Sequence, residues 1–405
     1  MRYVPSATVL SMAVYGGSGL AFTGANLLLA RELSTTQFAL LTLLVALNTL
    51  GYYLAPLGLD GVVMRGRVDV GPGLLKRAAV VAAAIGVSMS VVASLVYGLS
   101  AAMALLLLAG TAGGGLMLVA SARFQSEQRF AVSLALVMSP NLMLLLGAIA
   151  TMLAGSRTAD LSFEIVTIGL GVAAGLGWTL VLRERRNSSA APAPIPWNEA
   201  LVLAGVSAAG MLFVQIERLI IPQVLSVADL ALFGVLAAIA GSIFRLLQMA
   251  VGFSLLPRLR AAATIIERRQ LIARELRFAV VIAALGSAAI LVLTPLIEHW
   301  LLDGKYHLSM ALLVAALFSG IAKIAHAFAR AAATALGSAR ELQFVNWAGW
   351  LSAAFAIGSA IVAAPWGLTG VVYGIGTGWL AWAVMSFVVV SHHLRLPAAV
   401  AAETQ

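Results

Sequence analysis

Long apolar runs separated by short polar breaks take up nearly the whole chain. Twelve can be drawn, at about 7–30, 37–59, 77–98, 101–121, 131–154, 162–182, 198–222, 229–255, 278–300, 307–329, 344–364 and 368–391. A helix needs about 20 residues to cross the hydrocarbon core, and each run reaches or nearly reaches that length. The pattern predicts an all-α integral membrane protein with twelve transmembrane helices. The narrowest boundary is Leu99-Ser100, between the third and fourth runs.

Composition agrees with the pattern. The chain is 61% hydrophobic and 10% charged over 405 residues, whereas a globular domain is about a quarter charged. It has no cysteine, which excludes a disulfide framework, a thiolate nucleophile and a Cys-based metal site. No cofactor or metal is expected. The opening MRYVPSATVLSMAVYGGSG runs into a full-length apolar segment without a short h-region and cleavage site, so it reads as a retained first span.

The net charge of +9 comes mostly from short loops. With the N-terminus cytoplasmic, nineteen of the 25 Lys and Arg fall on the inside. Three (Arg31, Arg157, Lys305) fall outside, and three (Arg218, Arg245, Lys323) lie within spans. That bias predicts both termini cytoplasmic and makes the charge a topology signal; nucleic acid is not an expected partner. The stretch 258–277, RLRAAATIIERRQLIARELR, is basic and amphipathic and reads as an interfacial helix on anionic lipid.

The segment RERRNSSAAPAPIPW (183–197) reads as a cytoplasmic linker. It divides the chain into an N-terminal six-helix lobe (1–182) and a C-terminal one (198–391), with a cytoplasmic tail at 392–405. Sliding the sequence by 192 residues lays LSTTQFALLTLLVA (33–46) on LSVADLALFGVLAA (225–238) without a gap, and places Asn26 on Arg218 and Tyr53 on Arg245. Equal order and orientation predict parallel-repeat lobes around a central cavity.

Polar positions inside the membrane supply the candidate chemistry. In the eighth span Gly241, Arg245, Gln248 and Gly252 share one helical stripe; in the tenth, Ser319, Lys323, His326 and Arg330 do so. Arg218 follows Glu217 in the seventh span. The first half offers uncharged groups, among them Thr23, Asn26, Asn48, Tyr52 and Tyr53. A charge at the bilayer centre costs roughly 2.5–3.5 kcal/mol on insertion scales, so these residues are expected to face a cavity or a partner. Structural readings stand beside this one: Arg218 paired with Glu217 or reaching the interface, His326 packed, Asn26 and Asn48 bonding neighbouring helices. Pro56, Pro140 and Pro295 are candidate kinks, and Gly113-Gly114-Gly115 allows close helix approach. Gly374-x-Gly376-x-Gly378 lies within the last span without a following Lys-Ser/Thr, and reads as packing. Only Glu217 among the acids lies clearly within a span, so the pathway is net positive and suits an anionic substrate such as a phosphate or pyrophosphate.

Twelve spans in two halves, ARELSTTQFALLTLLVALNTLGYYLAPLGLDGVVMRGR after the first helix, ERLIIPQVLSVADLALFGVLAAIAG after the linker, a cytoplasmic LLPRLR and ARAAATALGSARELQFVNWAG before span eleven together resemble the polysaccharide flippases (Wzx type) of the multidrug/oligosaccharidyl-lipid/polysaccharide exporter superfamily. The resemblance covers essentially the whole chain. It implies a bacterial inner-membrane protein that moves undecaprenyl-pyrophosphate-linked oligosaccharide from the inner to the outer leaflet by alternating access. The expected partners are that lipid-linked oligosaccharide, the bilayer and other polysaccharide-assembly membrane proteins. The expected substrate-binding residues are Arg245, Lys323, Arg218, Arg65, Gln248, His326, Asn26 and Tyr53, with Arg65 matching the arginine after span two. The chain lacks a carboxylate on span one, where cation-coupled relatives would use one. The alternative is a cation-coupled multidrug exporter of the same fold. An enzyme is not expected, because no outer loop is long enough to carry a periplasmic active site.

Overall fold

The computed structural model describes residues 7–185, 194–241 and 264–394, together with positions 244, 255, 258, 259 and 262. Among the described residues there is no strand. The long helices are α1 (Ala7–Glu32), α2 (Thr35–Leu54), α4 (Pro72–Tyr97), α5 (Ala101–Ser126), α6 (Phe130–Leu153), α7 (Asp160–Arg185), α8 (Trp197–Val224), α9 (Val227–Ile239), α10 (Ile265–Leu296), α11 (Met310–Leu336), α12 (Ala339–Ala363) and α13 (Gly367–His393), with a short α3 (Leu59–Met64). Nine segments of the described residues are long and apolar enough to cross a membrane, the last of them holding both α12 and α13. The chain is a multi-pass membrane protein.

Short polar signals place the helix ends. Ser34, Ser100 and Ser309 each accept a hydrogen bond from the backbone N–H three residues on, capping α2, α5 and α11. The narrow break at Leu99-Ser100 is a complete punctuation: Gly98 ends α4 in the left-handed conformation at φ 67°, and Ser100 starts α5. Pro56 does not kink span two. α2 stops at Leu54, because a proline lacks the N–H a continuing helix needs and restricts the residue before it. Gly58 then caps α3 at φ 80°, and a Cβ there would overlap the Ala200 carbonyl of α8. Trp197, Trp300 and Trp366 stand exposed at helix ends, as interfacial aromatics do.

The basic stretch near 265–277 differs from expectation. It is the first third of α10, a helix of 32 residues that begins at a Thr264/Glu267 capping box and runs on through the apolar segment. At ~1.5 Å per residue it is about 48 Å long, against a hydrocarbon core of about 30 Å, so its charged turns stand clear of the lipid tails.

Contacts divide the chain into two compact units: Met1–Pro222 with Ser226–Val235, and Gln223–Leu225 with Leu236–Gln405. In the first, α5 is the hub, touching α2, α3, α4, α6 and α7. Its three glycines explain how: Gly113 meets the Gly171 backbone of α7, while Gly114 and Gly115 lie against Tyr52 and the Ala55 Cβ beyond the end of α2. In the second, α13 lies between α11 and α12. Gly374 and Gly378, one turn apart, lie against Ser359 and Ala356 of α12, and Gly376 faces Phe318 and Ser319 of α11. The glycine run of the last span is a packing surface. Neighbour choice repeats between the units. α5 pairs with α4 and α7 as α11 pairs with α10 and α13, and α6 pairs with α7 as α12 does with α13. By sequence register α8 is the counterpart of α1, and its contacts group it with the first unit.

Candidate functional site

Arg245 and Gln248 lie outside the described residues. The other expected residues fall into two sets, one in each unit.

In the second unit the stripe on α11 meets α13. Lys323 lies halfway along α11, its ammonium 5.7 Å from the centre of the Trp379 ring and half-buried there. Placing a cation over an indole face is favourable, by about 0.5–2 kcal/mol with the larger values when water is excluded. His326, one turn on, is fully buried between two tryptophans: Trp379 at 5.2 Å and 89°, Trp382 at 4.0 Å and 70°. Ser319 is buried opposite Gly376. Thus Ser319 and His326 line the seam between α11 and α13, with Lys323 at its edge and Arg330 exposed at the next turn. Trp379 and Trp382 hold the two basic side chains, and no local sequence pattern marks them as partners. Their only signal was the three-residue spacing Gly376, Trp379, Trp382, which is legible only once α13 is known to face α11.

In the first unit Arg218 is 8% exposed and Glu217 3%, so both are buried in α8. Arg218 Nη1 donates to Gln215 Oε1 at 2.9 Å, and the guanidinium lies 5.9 Å from the centre of the Phe233 ring. Tyr97 of α4 donates its hydroxyl to the Leu219 carbonyl one residue away. Asn26 is buried on α1 and donates to the Phe22 carbonyl of its own helix at 2.7 Å. Tyr53 stacks obliquely on Tyr52 with ring centres 4.9 Å apart. Arg65 follows α3 and donates to Glu199 Oε1 at 2.9 Å, tying that turn to the start of α8. This pair is substantially exposed, so its contribution to stability is at most about 1 kcal/mol.

Arg218 carries more. Replacing it with alanine leaves a buried Gln215 oxygen without its donor, a desolvation cost of about 1–3 kcal/mol. Arg218→Ala is therefore expected to lower the melting temperature of the purified protein measurably, whereas Arg65→Ala leaves it nearly unchanged. Equal melting temperatures for the two variants would contradict this difference.

No protein-family model matches the chain, and no curated protein matches its sequence. The likeness to known proteins lies in the fold. A multidrug resistance MATE family transporter of the MOP superfamily, inward-facing, superposes with TM-score 0.62 at 13% identity, over 97% of this chain and 96% of that one. The lipid II flippase MurJ, in an inward closed conformation, superposes with TM-score 0.65 at 12% identity, over 95% of this chain and 87% of the flippase. A MOP superfamily transporter from Pyrococcus furiosus, described as having a binding pocket of reverse polarity, gives 0.60 at 13% identity, over 96% and 95%. The chain has the fold of the MOP-superfamily transporters.

The likeness in fold covers 95–97% of this chain. At 12–13% identity the comparison shows the fold alone.

Proposed function

We propose that the chain is a flippase that carries a polyprenyl-pyrophosphate-linked oligosaccharide from the inner to the outer leaflet of a bacterial cytoplasmic membrane. In this reading it works by alternating access of two six-helix lobes, 1–182 and 198–391, with both termini cytoplasmic. The observation that carries the proposal is Lys323. It lies 13 residues into a 27-residue spanning helix, about 20 Å from either end at ~1.5 Å per residue. A mid-membrane ammonium costs roughly 2.5–3.5 kcal/mol on insertion scales. Recognition of an anion within the membrane would give that cost a function. Arg245 on the eighth span, with Gln248 three residues further along, supplies the second charge in this reading. In this reading Arg218, Arg65, Asn26 and Tyr53 of the first unit also contact the substrate.

The neighbours are transporters and a flippase, which supports transport over catalysis. The lipid II flippase among them moves a lipid-linked substrate by its name, the same class of cargo as proposed here. Other polysaccharide-assembly membrane proteins are the proposed partners. The test is genetic. Deleting the gene should abolish one surface polysaccharide and leave its lipid-linked precursor on the inner leaflet. Unchanged polysaccharide in the deletion strain would exclude the reading.

One observation favours a second reading, a cation-coupled multidrug exporter. Glu217 is a carboxylate buried within a spanning helix. That reading requires Glu217→Gln to abolish drug resistance conferred by the chain while Lys323→Ala leaves it intact.

A further inference from the structure

We infer that His326 is a proton-binding site whose occupancy governs how α11 packs on α13. The inference rests on the reading of the chain as a transporter, since it gives that transporter a coupling site.

His326 is 3% exposed, and its Nε2 has no hydrogen-bond partner among the described residues. The ring stands edge-on to Trp379 and Trp382, which come from α13. Among the described residues, the elements around it offer no free countercharge. On α11 itself the ionisable neighbours are Lys323, one turn before, and Arg330, one turn after, both basic. On α13 there are Tyr373 towards the start and His392 and His393 at the end. On α12 the acid is Glu341, which is occupied by the Ser338 cap and by His393 Nε2 at 2.9 Å. The ionisable residues of α10 lie between Glu267 and Arg277, and Glu298 and His299 follow beyond Pro295. Glu298 accepts from the Leu308 N–H and contacts His307 Nδ1. Phe244, which lies against Gly320 of α11, carries no charge.

A proton on Nε2 would therefore enter a seam that offers two indole rings and further positive charge, but no carboxylate. The packing described here suits the neutral ring. The protonated ring suits an arrangement in which the α11 stripe meets water or an anion. A ligand that binds two conformations unequally shifts the balance between them, and the proton is such a ligand at this position. It is the one buried histidine among the described residues, and an imidazole is the side chain whose charge changes nearest neutral pH.

The test needs no transport substrate. The purified full-length chain in lipid nanodiscs is titrated from about pH 8 downward, through and below the range in which a free imidazole changes charge, while tryptophan emission is recorded. Indoles that leave a dry seam for water emit less, so the native chain should lose emission reversibly on acidification. The loss should shrink in Trp379→Phe and Trp382→Phe and disappear in His326→Gln and His326→Phe. Amide exchange in α11 and α13 should rise with acid in the native chain and not in His326→Gln. Acid quenching that persists in both His326 variants, or its absence from the native chain, overturns the inference. A normal titration in a chain that fails to flip lipid-linked oligosaccharide would leave the proton site standing and remove the proposed substrate instead.

Discussion

Exchanging Arg245 and Lys323 together for alanine is expected to reduce export of the surface polysaccharide by two orders of magnitude or more. A hydrogen bond to a charged group is worth about 1.5–3 kcal/mol, which is roughly a tenfold to hundredfold effect for each lost contact to a pyrophosphate. Lys323→Arg keeps the charge and should retain part of the activity, because a guanidinium can also bind phosphate and lie over Trp379. The readouts are the surface polysaccharide, the lipid-linked precursor remaining in the cell, and the amount of protein in the membrane. A double variant present at normal level and exporting normally would show that neither residue holds the substrate.

The second large effect is on folding. A Cβ added at Gly114 would lie 2.5 Å from the Tyr52 Cβ and 2.8 Å from its Cγ, atoms close to the backbone of α2 that cannot swing aside. Gly114→Val is therefore expected to force α2 and α5 apart. Overpacking of this kind costs about 1–3 kcal/mol and sometimes more, a large share of a total stability of about 5–15 kcal/mol. Gly175→Ala on α7 is the control, because nothing lies within 4 Å of the added atom. There the gain in helix propensity, up to about 1 kcal/mol, should stand alone. Thermal unfolding followed by loss of the monodisperse peak on size exclusion should show Gly114→Val melting well below the native chain and Gly175→Ala at or above it. A native-like Gly114→Val would mean that the seam is looser than described.

The contrast between these two glycines marks what the sequence could reveal. Apolar runs of membrane length come from composition alone, and Ser34, Ser100, Ser309 and Gly98 fix their ends locally, so the helices were legible. Gly113-Gly114-Gly115 was legible as a close approach, but not the direction each glycine faces. The basic stretch before span nine is not a separate helix: amphipathic spacing says which face is apolar and not where a helix ends. Nothing between Ile265 and Leu285 breaks a helix, as no glycine or proline occurs there, and α10 runs straight on.

The site was legible in outline only. The spacing of Ser319, Lys323, His326 and Arg330 put them on one stripe, yet what faces that stripe comes from Gly376, Trp379 and Trp382, some fifty residues further along the chain. Arg65 and Arg218 are legible only as charges. Their partners, Glu199 from the far side of the linker and Phe233 from the next helix, follow from tertiary packing that a local pattern does not encode.

The most direct test of the central claim is a flipping assay. The purified chain is reconstituted into liposomes holding a fluorescent polyprenyl-pyrophosphate oligosaccharide, and a membrane-impermeant reagent reports the fraction of glycan exposed outside. The account predicts that the native chain exposes the inner pool and that the Arg245→Ala, Lys323→Ala variant does not. Exposure at the protein-free rate by the native chain, or equal exposure by the double variant, would contradict it.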